Sequence, residues 1–171
     1  MSALTVRPLN PVQWLGVPAL ACALATVLFA APARLFGLQL PEPVFPIAMA
    51  FAWAVIRPSV LPPFVLLALG LLLDLLWGGP LGLWPICLLA AYAPVLFVQR
   101  SLSQFEFVGL WASYAVACAL SLGAGWVLVS LRAGIAVNLV GVAWQYVATV
   151  LLFPVAFLII RRYEGADVRF R

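Results

Sequence analysis

The chain has 171 residues, of which 67% are apolar and 8% charged, and its nine arginines against five acidic residues give a net charge of +4. A soluble domain has about 45–50% apolar and about 25% charged residues, so a soluble fold of this composition would lack the polar side chains needed to cover its surface. The composition therefore excludes an ordinary soluble domain, and we expect the surplus apolar side chains, which give a mean hydropathy of +1.18, to face lipid.

Six apolar stretches come close to the length of about 20 residues that a membrane helix needs. Charged residues and turns rich in Pro and Gly separate them. In chain order the six stretches are 12–31, 41–56, 59–77, 81–98, 107–131 and 135–160. We predict an all-α integral membrane protein, a single polytopic domain built as a bundle of six transmembrane helices. The first stretch is longer than the apolar region of a signal peptide, so we expect it to be retained.

The second stretch leaves an alternative open. Its uninterrupted part, 44–56, would reach about 20 Å as a helix, whereas the hydrocarbon core of a bilayer is about 30 Å thick. Starting the helix at Pro41 lengthens it, because proline is tolerated in a first helical turn. The alternative is five spans and one re-entrant segment.

The distribution of arginine predicts the orientation. With six spans and a cytoplasmic N-terminus, seven of the nine arginines lie on the cytoplasmic side. These seven are Arg7, Arg57, Arg100, Arg161, Arg162, Arg169 and Arg171. Arg34 and Arg132 then lie outside, which obeys the positive-inside rule. If the second stretch does not cross, the N-terminus moves outside, and both versions keep the C-terminus in the cytoplasm.

The titratable residues argue against catalysis. The chain has no histidine, which is the commonest general base and metal ligand. Cys22, Cys87 and Cys118 lie in apolar stretches without C-x-x-C spacing, as is typical of small buried apolar residues. No nucleophile motif or phosphate-binding loop is present. We predict a non-enzymatic protein without cofactor or metal, whose positive charge reflects membrane orientation rather than nucleic-acid binding.

Asp74 is the only acidic residue inside an uninterrupted apolar run, since Glu42 lies in the Pro-rich start of the second stretch, and such a residue is a functional candidate by default. It lies three residues from Trp77, near the predicted outer interface. One interpretation is a structural anchor that accepts hydrogen bonds from the turn at 78–79 or pairs with Arg132 or Arg34. A second is a contact with a ligand or partner. A proton relay is disfavoured, because relays need a chain of titratable groups.

Two pairs of residues are candidates for contact with a partner helix. Ala19 and Ala23 have the small-xxx-small spacing that lets two membrane helices approach closely. Asn138 and Gln145 are seven residues apart, so they share one helix face and offer hydrogen bonds to a neighbouring helix of this chain or of a partner.

The stretch 57–84, RPSVLPPFVLLALGLLLDLLWGGPLGLW, ends one apolar segment with a basic residue and proline and continues with a spaced Gly, Asp and Gly pattern. The residues of this pattern are Arg57, Pro58, Gly70, Asp74, Leu75, Leu76, Gly78, Pro80, Leu81 and Gly82. It resembles the signature of the rod shape-determining proteins of the MreD family. The short, Pro-rich second stretch departs from that family.

The resemblance implies a fold similar to the six-helix substrate-binding components of energy-coupling-factor transporters. It implies a non-catalytic component of the bacterial inner membrane that supports rod shape and peptidoglycan synthesis as a scaffold of the elongation complex. The implied direct partner is the membrane helix of MreC, with MreB, RodA and a penicillin-binding transpeptidase reached through the complex, and with membrane lipid around the bundle. The alternative is the small-solute-binding membrane component of a transporter.

Overall fold

The computed structural model describes residues 15–29, 34–35, 38–39, 43–56, 59–102 and 106–168. Within these ranges the chain forms seven helices and one short hairpin. The helices are α1 (Val17–Phe29), α2 (Phe45–Ile56), α3 (Leu61–Trp77), α4 (Leu83–Leu102), α5 (Phe107–Ala133), α6 (Leu139–Val150) and α7 (Phe153–Val168). The hairpin pairs β1 (Arg34–Leu35) with β2 (Leu38–Gln39) in antiparallel register. The predicted all-helical class is confirmed, with this four-residue hairpin as an unpredicted addition.

The short second helix lies at the centre of the bundle. α2 packs against all six other helices, and every residue from Pro46 to Ala54 is buried. Four of these nine residues are alanine, which lets neighbouring helices approach closely, and Trp53 among them is fully buried. Because other helices surround α2, it has little surface of its own that must match the thickness of the bilayer. The burial of α2 therefore explains how a stretch that looked too short for a membrane span belongs to the bundle.

The last predicted helix, 135–160, corresponds to the apolar helical stretch Leu139–Arg161, which begins four residues later than expected and is interrupted once. The structure breaks it into α6 and α7 at Leu151 and Leu152. Pro154 supplies the physical reason, because proline lacks an N–H and its ring clashes with the carbonyl four residues earlier, here that of Val150. The main-chain N–H of Val155 instead bonds the Leu152 carbonyl at 2.9 Å, which starts the new helix.

The other boundaries differ by a few residues. α3 begins at Leu61 rather than at 59, with Pro62 in its first turn, where the missing N–H is harmless. α4 continues to Leu102 and α5 to Ala133, beyond the predicted ends at 98 and 131. The predicted positions 12–14, 30–31 and 41–42 lie outside the described residues.

Thr149 ties three helices together in the core. Its hydroxyl donates to the Gln145 carbonyl at 2.7 Å and accepts the main-chain N–H of Val44, just before α2, at 3.3 Å. Its own carbonyl accepts the Tyr114 hydroxyl of α5 at 2.9 Å. The Tyr114 ring packs edge-on against Phe51 of α2, with 5.3 Å between ring centroids. A residue of α6 thus supplies the polar contact that holds the start of the central helix.

Two helical stretches are long and apolar enough to span a membrane, namely Phe107–Ala133 and Leu139–Arg161, the latter crossing the break between α6 and α7. The remaining described apolar helices are shorter. They are Val17–Leu28, Phe45–Ile56, Leu61–Trp77 and Leu83–Gln99.

Candidate functional site

The residues of the Gly and Asp pattern meet at the turn between α3 and α4, and Asp74 is the centre of that junction. Its side chain is 1% exposed. Its carboxylate oxygens accept the main-chain N–H of Gly82 at 2.6 Å and of Trp84 at 3.0 Å. Its main-chain carbonyl accepts the N–H groups of Gly78 and Gly79. One residue therefore receives four main-chain donors, two from each side of the turn.

These bonds complete the first turn of α4, whose N–H groups have no partner within the helix. Gly82 and Trp84 donate to the carboxylate, and the N–H of Leu83 donates to the Pro80 carbonyl at 3.1 Å. Pro85 has no N–H, and the N–H of Ile86 donates to the Gly82 carbonyl at 3.3 Å. Asp74 thus performs from the preceding helix the role that a capping side chain usually performs locally.

The two positive-φ glycines of this turn have a backbone reason. Gly78 ends α3 at φ 63° and Gly82 precedes α4 at φ 93°. Residues with a Cβ rarely adopt this left-handed region, whereas glycine enters it without steric penalty. Glycine at both positions permits the tight reversal that brings the amides of Gly82 and Trp84 within hydrogen-bonding distance of Asp74.

Gly70 meets α4 one turn before Asp74. A Cβ at this position would lie 2.6 Å from Pro85 Cα and 2.8 Å from Pro85 Cδ, which no real Cβ tolerates. The four-residue spacing places Gly70 and Asp74 on one helix face. Gly70 therefore admits the backbone of α4 to van der Waals contact, and Asp74 holds it there by hydrogen bonds.

The sequence suggested that Asp74 accepts hydrogen bonds from the turn at 78–79. The amides of Gly78 and Gly79 do bond Asp74, but through its main-chain carbonyl, and its carboxylate accepts the amides of Gly82 and Trp84. Arg132 is exposed and makes no ion pair with Asp74. The side chain of Arg34, and Arg57 and Pro58 of the pattern, lie outside what the structure describes.

Beside the junction lies a cleft of about 140 Å³ between α4, α5 and the start of α6. Its lining is mostly apolar. The lining residues are Leu83, Trp84, Cys87, Leu122, Gly125, Trp126, Val129, Val137, Val142 and Gln145. Trp84 belongs to both features, because its main chain bonds Asp74 and its side chain lines the cleft. The Trp84 ring is fixed by an edge-on contact with Trp77, at 4.7 Å between ring centroids.

Glycine and a folded-back loop shape the cleft. A Cβ on Gly125 would lie 2.9 Å from Cys87 Sγ, so α4 and α5 approach closely at this point. Trp126 Nε1 donates to the Val137 carbonyl at 3.0 Å, and the Ser130 hydroxyl accepts the Val137 N–H at 3.4 Å. These two bonds hold the loop before α6 against α5.

The predicted partner-contact residues have different positions from those expected. Ala19 and Ala23 are partly buried against the protein's own core, so the small-residue stripe of α1 is used within the chain. Asn138 lies just before α6, and its Oδ1 accepts the N–H of Val140 at 3.0 Å as a helix cap. The Asn138 amide oxygen is thus used within the turn that starts α6. Gln145 lines the cleft, and no side-chain hydrogen bond to it occurs among the described residues.

Sequence reasoning missed Thr149 and the cleft that Gly125 and Trp126 help to form. Thr149 carried a weak signal, because it is a hydroxyl residue within a long apolar stretch, where such groups bond other helices. Gly125, with Gly123, was expected to allow close helix approach and Trp126 to mark a span end, but their place in the cleft depends on where α4 and the loop before α6 lie.

Comparison with known proteins found no matching family model, no matching curated protein and no matching solved structure. Among the described residues, no group of three or more His, Cys, Asp or Glu side chains is placed to hold a metal ion. The function is therefore inferred from the geometry and from the pattern at 57–84.

Proposed function

We propose first that this chain is a multi-pass protein of the bacterial inner membrane, with α6 and α7 together forming the last of six spans and both termini in the cytoplasm. The apolar windows of its two long helical stretches are only 33% and 22% buried, whereas a core helix of a soluble protein is mostly buried. Large apolar side chains are exposed on several helices, including Phe97 at 88% and Leu131 at 76%. Lipid is the solvent that suits such a surface.

The second step concerns what the protein does in the membrane. We propose that it is a scaffold of the MreD type, which supports rod shape and peptidoglycan synthesis by binding the membrane helix of MreC. The observation that carries this proposal is the junction at Asp74. The residues Gly70, Asp74, Gly78 and Gly82 of the pattern that resembles the family form one connected structural unit. Its carboxylate, the only buried one among the described residues, accepts main-chain donors.

That occupancy favours a structural role over chemistry. A general acid or base must reach a reacting group with a hydrogen-bonding atom. Both carboxylate oxygens of Asp74 instead hold the start of α4. A bundle whose one buried acid among the described residues is used in this way has apolar helix surfaces as its main means of interaction, which fits assembly by helix contact.

Depletion of the protein in its rod-shaped host tests the function. We expect the cells to become round, and we expect tagged protein to co-purify with MreC from detergent-solubilised membranes. Normal rods together with a failure to recover MreC would overturn the proposal. A nutrient requirement at normal shape would support the second candidate, a solute-binding component of a transporter.

The cleft is the observation in favour of that second candidate. It offers aromatic side chains and the amide of Gln145. Its volume of about 140 Å³ is nevertheless small, since pockets for small molecules have about 300–1,000 Å³. The scaffold function is therefore the better supported of the two.

A further inference from the structure

The cleft between α4, α5 and α6 has the shape of a receptor for one bulky side chain. An apolar cavity of about 150 Å³ holds a benzene molecule, so a cleft of this size accepts a group of about six carbon atoms. Along α5 its lining runs from Leu122 to Val129, seven residues or about 10 Å, which is two helical turns. These dimensions suit a leucine or phenylalanine presented by a neighbouring helix.

The polar group in the cleft argues for a protein occupant rather than a lipid chain. Gln145 is partly exposed, and no described residue hydrogen-bonds its side-chain amide. An amide that faces acyl chains has no partner, whereas a transmembrane helix can offer a hydroxyl or a second amide. Gly141, one turn away on the same helix, is exposed with open space where its Cβ would be, so a second backbone can come close.

A positive charge marks one end of this surface. Arg132 lies three residues beyond Val129, on the same face of α5, and its side chain is exposed. Among the described residues no carboxylate pairs with it. A partner with an acidic residue near the corresponding end of its helix would complement this charge.

We propose that the cleft between α4, α5 and α6 binds a single transmembrane helix of a partner. That helix inserts an apolar side chain between Trp84 and Trp126, presents a hydrogen-bonding side chain to Gln145, and carries an acidic residue opposite Arg132. This inference rests on the scaffold function proposed above and names the surface through which it acts. It assigns the contact to α6 and not to the alanine stripe of α1, which is partly buried against the chain's own core.

Site-specific photo-crosslinking in the host tests the location. Trp144 is 61% exposed on α6, next in sequence to the cleft residue Gln145, and Phe97 is 88% exposed on α4. Each is replaced by p-benzoylphenylalanine, a comparable aromatic, in a strain that also produces tagged MreC. We expect an adduct with MreC at position 144 and none at position 97. An adduct at 97 alone, or an adduct of phospholipid mass at 144, would overturn the assignment.

Substitutions test the chemistry. Gln145→Leu keeps the size of the side chain and removes its amide, so MreC affinity should fall about threefold, the weight of an average hydrogen bond between membrane helices. Arg132→Gln should also lower the amount of MreC recovered, and the remaining recovery should depend less on salt concentration. Gln99→Leu is the matched control, since Gln99 lies on α4 outside the lining of the cleft, and it should leave recovery unchanged.

The outcomes separate this inference from the function on which it rests. If MreC co-purifies but the variants at 132 and 145 behave like wild type and no adduct forms at 144, the surface is wrong and the scaffold function stands. If MreC is not recovered at all from cells that stay rod-shaped after depletion, both fail.

Discussion

Trp84 donates its main-chain N–H to Asp74 Oδ1 at 3.0 Å, across the turn between α3 and α4. The same residue places its indole in the wall of the cleft proposed to receive a partner helix. The junction therefore determines both how α4 begins and where one wall of the cleft lies. Changes at Asp74 should affect the stability of the bundle and, through Trp84, the shape of the binding surface.

Replacing Asp74 tests the weight of this junction. Asp74→Leu leaves the part-buried N–H of Gly82 and the buried N–H of Trp84 without acceptors, and each such group costs about 1–3 kcal/mol. We expect a loss of about 2–6 kcal/mol in the free energy of unfolding, measured by unfolding in detergent micelles. Asp74→Asn retains one acceptor oxygen, so its free energy of unfolding should lie between those of the wild type and Asp74→Leu.

Glu106→Gln is the control for that series. Glu106 is an exposed carboxylate at the start of α5 whose side chain makes no capping bond. Its replacement should change stability by less than about 0.5 kcal/mol, as at other surface positions. Equal losses of stability in the Asp74 and Glu106 variants would contradict the stabilising role of the hydrogen bonds to Asp74.

Two glycines should respond to alanine with opposite signs. Gly70→Ala forces a Cβ against the backbone of Pro85, which cannot move without displacing α4, so we expect destabilisation of about 1–3 kcal/mol. Gly123→Ala places its Cβ in open space on α5 and should stabilise the helix by about 0.5–1 kcal/mol. Thermal unfolding of both variants in the same detergent measures the difference, and a stabilised Gly70→Ala would show that α3 and α4 do not approach as described.

The backbone of the turn can be tested separately from its packing. Gly82→Ala imposes a Cβ on a residue at φ 93°, and this strain costs about 1–3 kcal/mol. Gly79→Ala is matched, because a Cβ there also meets nothing within 4 Å but its φ lies outside the left-handed region. We expect only Gly82→Ala to lower the unfolding midpoint.

Thr149 provides a test of how the central helix is held. Thr149→Val is nearly isosteric and leaves the N–H of Val44 without an acceptor, so stability should fall by about 1–3 kcal/mol. Thr149→Ser keeps the hydroxyl and should retain most of the stability. Thr26→Val is the control, since the Thr26 hydroxyl only returns to the Cys22 carbonyl of its own helix. A loss of stability at Thr26 as large as at Thr149 would contradict the capping role.

Much of the junction was accessible from the sequence, for a simple reason. Helical periodicity alone places Gly70 and Asp74 on one face, and the glycines at 78 and 82 mark a tight turn. What the sequence could not show is which amides Asp74 accepts. The accepted amides depend on how far α4 folds back. In the structure the carboxylate accepts those of Gly82 and Trp84, and the glycines at 78–79 bond the main-chain carbonyl of Asp74.

The partner-contact residues show the opposite case. Spacing indicated that Ala19 and Ala23 offer a smooth helix surface, but spacing does not state which helix uses it. The structure packs that surface against the protein's own core. Asn138 and Gln145 share a helical spacing, yet one of them caps α6 and the other lines a cleft.

The sequence by itself determined that apolar helices dominate this protein, that few polar groups are available for chemistry, and that a glycine-rich turn follows Asp74. These are local properties, set by composition, by the 3.6-residue period and by the conformational freedom of glycine. Only the tertiary structure decided that α2 is the central helix and that Trp84, Gly125 and Gln145 meet in one cleft. Those features depend on contacts between residues far apart in the chain, which no local pattern encodes.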